Sequence, residues 1–361
     1  MRPLILGAGP AGAVAAMTLA RGGDAPIILE RERVTGDALC GGFLSWRTLA
    51  ALERLGVERS SLGDADVSKV RLFAADVCAE AALPHQAKGV SRHRLDSVLL
   101  THALQAGAAV ERGVTIREVS DRRVRLADGA ELTSDALFLA TGKHDVRGAA
   151  RPAAAKGADP AIGLRIRIGP SPVLRTLLAG MIELHLFDRG YAGLMLQEDG
   201  STNCCMAVHR SRLQEAGSPR ALLDALGNAC PRLGERLSCA NGGDSIDAVA
   251  NVPYGWRAST TGAGCFRLGD QAGVIPSLAG EGIAIAVASG IRSARAYSSH
   301  GPEAAPEFQR EFAQALARPI GMASVLRTMA ESSFAPWMVR ACAAFPSLAG
   351  LGARLTRIGS S

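Results

Sequence analysis

The sequence predicts an α/β protein in which a Rossmann-like nucleotide-binding domain is interrupted by an antiparallel β-sheet domain and followed by a helical C-terminal tail. Three observations carry this. The chain opens Leu4-Ile5-Leu6-Gly7-Ala8-Gly9-Pro10-Ala11-Gly12, an aliphatic strand running through a glycine turn into a series of small residues. A second aliphatic run, 25–29, ends in Glu30. Buried-looking strands of the same kind return at 135–142 and 264–270, and between them lies a stretch of alternating strands punctuated by turns.

In a βαβ unit each glycine of the opening motif has its own task. Gly7 permits the turn, Gly9 lets the backbone approach a pyrophosphate, and Gly12 lets helix pack against strand. Residues 13–20 read as that helix, whose N-terminus offers unpaired N–H groups and a positive dipole end to phosphates. Glu30 stands where an acid holds ribose hydroxyls. A bare GxGxxG is a weak signal, but strand, turn, helix, second strand and acid in the right order make it specific.

The bulk numbers set limits. At 361 residues the chain has room for two domains or one large fold with an insertion, and 48% apolar content supplies a sizeable core. The formal charge of +6 comes with far more arginine than lysine and no basic block interleaved with aromatics. Nucleic acid is therefore excluded as the partner; an anionic cofactor or lipid surface suits the excess. Cys40, Cys78, Cys204, Cys205, Cys230, Cys239, Cys265 and Cys342 form no CxxC pair and share no zinc-like spacing with histidine. No metal site is expected, and scattered thiols suit a reduced, cytoplasmic protein. The first strand starts so near Met1 that no signal peptide is expected, and no apolar run is long enough to span a bilayer.

Taken in order, residues 31–37 are polar and loop-like and lead into Cys40-Gly41-Gly42, two glycines beside a thiol. Residues 46–55 read as a helix with Leu49, Leu52 and Leu55 on one face, and 67–73 and 77–83 as strands. Ser91 is a candidate N-cap for a helix over 95–106. Residues 110–119, 123–126 and 131–133 are short strands around turns, and 135–142 is a buried strand returning to the nucleotide-binding sheet. The runs 162–168, 181–187, 191–197 and 203–208 are successive strands, with Glu183, His185 and Phe187 facing away from Ile182, Leu184 and Leu186, and Cys204 opposite Cys205. Residues 219–230 resemble a helix. The stretch 264–270 is a strand ending in Gly-Asp, and 282–297 is a helix of small residues. From Pro302 onward the pattern is helical, broken at Pro319, Pro336 and Pro346. The nucleotide-binding domain thus takes 1–72, 90–150 and 258–300, the β-sheet domain 73–89 and 151–257, and the helical region 301–361.

With these motifs in view, residues 1 to about 300 resemble the FAD-dependent oxidoreductases that include aromatic hydroxylases and geranylgeranyl reductases. The likeness rests on Gly7, Gly9, Gly12 and Glu30, on Arg92 followed by Leu95, on Ala140-Thr141-Gly142, and on Leu268-Gly269-Asp270. It implies an FAD held by Gly7, Gly9, Pro10, Ala11, Gly12, Glu30, Arg31, Cys40, Gly41, Arg92, Ala140, Thr141, Gly142, Gly269, Asp270, Gly280, Gly282 and Ile283. Asp270 would accept from a ribityl hydroxyl, and the helix beginning at Gly280-Glu281-Gly282 would favour negative charge developing on a reduced flavin. Lys143-His144-Asp145 replaces the hydroxylases' usual central Gly-Asp-Gly, and Ala272-Gly273 and Gly280-Glu281-Gly282-Ile283 replace their later histidine and Gly-Gln-Gly. Together with Cys40-Gly41-Gly42, these choices look more like the geranylgeranyl reductase branch. The Trp-x-Trp-x-Ile-Pro motif of flavin halogenases is absent.

The function expected from this resemblance is oxidation–reduction of a hydrophobic small molecule bound between the domains, with NAD(P)H as electron donor. Hydroxylation or epoxidation through a flavin C4a-hydroperoxide is the commoner chemistry on this architecture, which tilts the expectation to a monooxygenase. Reduction of a carbon–carbon double bond is the alternative that the local motifs favour, and a non-catalytic lipid carrier on the same fold is a third. By the resemblance Cys40 lies beside the flavin, as proton donor or as a small buried filler. His185, Tyr191 and Tyr254 are candidates on the substrate side, or ordinary sheet residues. The apolar, arginine-bearing stretch 318–358 is read either as a packed helical cap or as a peripheral contact with an anionic membrane.

Overall fold

The structure, a computed structural model, describes residues 2–241 and 244–358. Its first layer is a five-stranded parallel sheet in the order Cys265–Arg267, Leu137–Leu139, Leu4–Leu6, Ile27–Glu30, Ala109–Arg112. Leu4–Leu6 and Leu137–Leu139 are buried throughout, as a parallel sheet covered on both faces requires. The helix Pro10–Arg21 crosses the sheet and packs against Gly282–His300. Gly12 lets the helix sit against the turn and first strand, since a Cβ there would stand 2.0 Å from the Gly7 carbonyl oxygen. Gly290 allows the helix–helix approach, since a Cβ there would stand 2.7 Å from the Ala11 carbonyl oxygen.

The second layer is an eight-stranded sheet in the order Ile246–Val252, Ala161–Ile168, Thr202–His209, Gly190–Leu196, Gly180–Phe187, Asp66–Ala74, Val77–Gly89, Phe43–Leu44. All its pairs are antiparallel except one, because Gly180–Phe187 runs parallel to Asp66–Ala74. The more than one hundred residues between those two strands provide the crossover that parallel pairing needs. The strand Asp66–Ala74 runs through the sequence-read boundary at 72/73, and Phe43–Leu44 also pairs here, so parts of 1–72 belong to this sheet. Ile116–Ser120, Arg123–Leu126 and Glu131–Thr133 form a separate small antiparallel sheet, splitting the run read as 110–119.

Sequence reading misses the helices Pro172–Leu178, Arg210–Ala216 and Pro231–Leu237 and the strand Ile246–Val252, all short. It also errs at Pro319. The helix Ala305–Ala330 runs straight through that residue. A mid-helix proline costs about 3 kcal/mol, and the buried face Phe308, Phe312, Leu316, Ile320 and Ala323 supplies the packing that offsets it. Pro336 sits in the first turn of Ala335–Ala344 and Pro346 just before Ser347–Leu355, where proline is tolerated.

Candidate functional site

A cavity of about 620 Å³ opens between the two sheets and reaches the C-terminal helices. Its construction starts at the glycine turn. Gly7 takes φ +109°, and a Cβ there would meet the Ala140 carbonyl oxygen at 2.6 Å, so only glycine fits. Gly9 caps the helix Pro10–Arg21 without any side-chain cap, and Pro10 gives up an N–H that the first turn could not have paired. The uncapped turn at Gly9, Pro10 and Ala11 faces the cavity. Beneath it, the Glu30 carboxylate accepts the Ala8 N–H at 2.7 Å and the Glu32 N–H at 2.9 Å, tying the second strand's end to the turn.

Two cations stand at this end. Arg92 opens the helix Arg92–Gln105, which Ser91 caps, and its guanidinium forks onto Asp96 at 2.8 and 2.7 Å. Burial works against its charge, yet Asp96 more than compensates and the guanidinium is held firmly charged. A Cβ on Gly9 would lie 3.3 Å from Arg92 Nη2, so the arginine closes over the turn. Lys143 Nζ lies 3.1 Å from Asp270 Oδ2, and that carboxylate raises the ammonium against the opposing effect of burial. The loop carrying Lys143 is rigid by construction. Arg151 donates to the carbonyls of Lys143 at 2.6 Å and Asp270 at 3.0 Å, and Gln271 Nε2 donates to those of Gly142 and His144, both at 2.9 Å.

Cys40 also lines the cavity, on a loop clamped by the larger sheet. Asn203 Nδ2 donates to the carbonyls of Cys40 at 2.9 Å and Gly41 at 2.8 Å. Arg165 donates to the carbonyls of Asp37 at 2.7 Å and Ala38 at 3.1 Å. Gly42 takes φ +75° with no room for a Cβ, which would lie 2.7 Å from the Val90 carbonyl oxygen. Beyond Cys40 the walls are aliphatic: Val70, Leu72, Ile182, Leu184 and Leu186 from the sheet, Leu326, Leu348 and Leu351 from the C-terminal helices. One polar cluster interrupts them. Ser277 Oγ lies 2.5 Å from the Tyr191 hydroxyl and 2.7 Å from that of Tyr254, and the Leu278 N–H donates to Tyr191 at 2.8 Å. Burial raises both phenols, so they remain neutral hydroxyls.

The structure thus brings Gly9, Pro10, Ala11, Cys40, Gly41, Arg92, Ala140, Gly142, Gly269, Asp270, Gly280, Gly282 and Ile283 to one cavity, with Tyr191 and Tyr254. Gly7, Gly12, Glu30, Arg31 and Thr141 do not line it. The first three shape the turn behind it, Thr141 donates to the His144 carbonyl at 2.7 Å, and Arg31 is exposed beside Glu32. His185 is corrected as a cavity candidate: it stacks on Phe73 at 4.6 Å and hydrogen-bonds to Glu183 on the other face of the sheet. That is the face the strand alternation assigns it. Lys143, Arg151, Gln271 and Asn203 escape sequence reading because each acts across more than a hundred residues or through a backbone carbonyl, which leaves no local pattern.

An open glycine turn on a parallel sheet thus faces a largely apolar cavity that Arg92 and Lys143 also line. Residues 2–158 match the family described as FAD binding domain. That match covers less than half of the chain. Over 156 residues it is 30% identical to menaquinone reductase of Mycobacterium tuberculosis; the match spans 40% of this chain and 38% of that protein. A geranylgeranyl bacteriochlorophyll reductase-like protein from Thermoplasma acidophilum superposes with a TM-score of 0.74 at 17% identity, covering 99% of this chain and 93% of the other. Halogenase PltM in complex with phloroglucinol and FAD gives 0.74 at 16% identity, covering 98% and 85%. At such identities these two solved structures speak for the fold.

Proposed function

We propose that this protein reduces a carbon–carbon double bond in a hydrophobic, isoprenoid-type molecule, using FAD with NAD(P)H as electron donor. One observation carries the reading. The Cys40 thiol, one of three that line the cavity, stands on a loop fixed by Asn203 and Arg165, whereas burial pushes the Cys205 thiol up to about 12 and the Cys342 thiol up as well. The cavity fits the cofactor on its own terms. The uncapped N-termini at Gly9 and at Gly282–His300, with Arg92 and Lys143, offer positive charge to phosphates, and Gly9 leaves space for their approach. In this reading Gly7 and Gly12 set the turn, Glu30 and Arg31 flank the ribose, and Cys40, Gly41, Ala140, Thr141 and Gly142 surround the remainder. Gly269, Asp270, Gly280, Gly282 and Ile283 complete the cradle. Bound FAD supplies the two electrons that no side chain here can provide.

The chain's own residues supply position and a proton. The aliphatic walls hold a greasy chain and exclude water, and Cys40 Sγ holds the proton for the carbon that must receive one. Arg92 and Lys143 line the same cavity as Cys40. Monooxygenation is the second reading, favoured by the Tyr191–Ser277–Tyr254 hydroxyls, which would orient a substrate bearing a phenol or carbonyl. A carrier without the cofactor has no use for an uncapped turn beside two partly buried cations.

The deciding experiment uses FAD-loaded protein, reduced without oxygen and given a polyisoprenoid quinone, against oxygen uptake in air. Under the reductase reading saturated product forms anaerobically, and Cys40→Ala slows it by about 10²–10⁴-fold, the scale for losing a positioned acid. Product that requires oxygen and is indifferent to Cys40→Ala overturns it in favour of monooxygenation.

A further inference from the structure

The C-terminal helices carry a face that the fold leaves uncovered. Phe334, Trp337 and Phe345 are 64%, 67% and 65% exposed, and their spacing along Ala335–Ala344 and its flanks puts them on one side. The next helix, Ser347–Leu355, packs against it and adds Leu348 and Leu351, 41% and 51% exposed. Single exposed apolar residues are ordinary, but five large ones on two adjoining helices mark an interaction surface.

Charge and position identify what it meets. From residue 332 to the end the sequence holds no Asp or Glu, and Arg340 and Arg354 are exposed beside the apolar side chains. Arg340 lies 5.3 Å over the Trp337 ring; its acidic neighbour Asp76 is exposed and 4.0 Å away. The nearest acid in sequence, Glu331, is turned inward onto Arg327 and His209. Aromatic and leucine side chains rimmed by arginine suit the boundary between anionic headgroups and acyl chains. No helix among the described residues is long and apolar enough to cross a membrane, so such a contact would lie in the interface plane. Leu348 and Leu351 also line the cavity, which makes Ser347–Leu355 its wall on one side and its outer lip on the other.

We propose that Phe334, Trp337, Phe345, Leu348 and Leu351, with Arg340 and Arg354, dock this protein on an anionic lipid bilayer, with the mouth of the cavity facing the lipid. The docking stands on its own; delivery of substrate from the bilayer rests on the function proposed above.

Flotation of the FAD-loaded full chain tests it, with vesicles of phosphatidylcholine alone or mixed with phosphatidylglycerol. The protein should float with the anionic vesicles at low salt and do so less as salt rises. Trp337→Ser and Phe345→Ser should each weaken binding about tenfold, the value of one buried large apolar side chain. Arg340→Glu with Arg354→Glu should remove the preference for anionic lipid. Both sets should keep their FAD and their circular dichroism, since these side chains face outward. Absence of flotation, flotation unchanged in the variants, or a dimer in solution that Trp337→Ser dissociates while vesicles are ignored, each overturns the proposal. None of these readouts needs a substrate, so failure here is separable from failure of the proposed reaction.

Discussion

Lys143 and Asp270, 127 positions apart in the chain, meet with Nζ 3.1 Å from Oδ2 at the edge of the cavity, on loops that Arg151 and Gln271 lock together. A cation held there serves two masters, the carboxylate and any phosphate or flavin oxygen that enters. Lys143→Met is expected to weaken FAD by about 10–100-fold, since a hydrogen bond to a charged group contributes roughly 1.5–3 kcal/mol. Lys143→Arg should restore most of it. Titration of apoprotein with FAD checks this, and unchanged affinity in Lys143→Met would reduce the lysine to a counter-ion for Asp270.

The glycine turn makes a sharper prediction. Gly9 alone among Gly7, Gly9 and Gly12 has no backbone within reach of a would-be Cβ; its neighbour is Arg92 Nη2 at 3.3 Å. Gly9→Val should therefore fold, because the flexible arginine can retreat, yet emerge colourless because the approach to the turn is blocked. Gly12→Val should fail at the earlier step of folding, with backbone at 2.0 Å. Glu30→Ala should bind FAD more weakly by roughly 1–3 kcal/mol, having lost a partner for buried polar groups. Absorbance of the purified variants, with circular dichroism for the fold, separates the three outcomes.

How much of this was legible in the sequence follows from the range of each interaction. The turn Gly7–Gly12 and the acid Glu30 are local, and their spacing alone placed them. The alternation in Gly180–Phe187 likewise assigned Leu184 and Leu186 to one face and Glu183 and His185 to the other. What it could not say was which face meets the cavity, since both are buried: Glu183 is fully buried among Arg71, Arg236 and His185. Pro319 reads as a break because local propensity says so, and only the packing of Phe312, Leu316 and Ile320 overrides it. The parallel pairing of Asp66–Ala74 with Gly180–Phe187 is set by a crossover of more than a hundred residues and has no sequence signature.

That buried Glu183 has a pH signature of its own. It accepts from Arg71 Nη1 at 2.7 Å, from Arg236 Nε at 2.9 Å and Nη2 at 3.0 Å, and from His185 Nε2 at 3.3 Å. Burial alone would raise the carboxyl, but these donors outweigh it and hold it down at about 2. A depressed carboxyl stabilises the fold above its ordinary range, and that contribution is lost as pH falls from about 4.5 toward 2. His185, lowered by burial, adds in the same direction, because charging it favours the unfolded chain. Glu183→Gln should cost about 3 kcal/mol at neutral pH, the low end for a broken buried pair, because Arg71 keeps Glu80 and Arg236 keeps Glu235. Urea melts across the acid range should show the wild type losing stability steeply and the variant losing less. Parallel curves would mean another group drives the acid transition.

Glu281 and Arg357 make the last prediction, which concerns how the C-terminal region is fastened to the cavity. Glu281 immediately precedes the helix Gly282–His300 and is fully buried; Arg357 lies at the far end of the chain and is nearly so. The guanidinium donates to Glu281 and to the Ala279 carbonyl at 3.2 Å, and lies 4.6 Å over the Trp46 ring. The Ile358 N–H reaches the second carboxylate oxygen at 3.4 Å. Burial raises the Glu281 carboxyl, and Arg357 with the Ser45 hydroxyl pulls against that rise. Arg357→Met should therefore destabilise the protein by about 3–5 kcal/mol, the scale for leaving a buried charge without its partner. Its carboxyl would rise further, so protonation favours the folded form and the deficit should shrink in mildly acid buffer and return as pH rises. Adding Glu281→Gln to Arg357→Met should recover much of the loss, because both charges are then gone. Denaturation of the two single variants and the double variant, at neutral and mildly acid pH, closes the cycle. If the losses of the single variants simply add, the two residues act independently and the C-terminus is held by its apolar contacts alone.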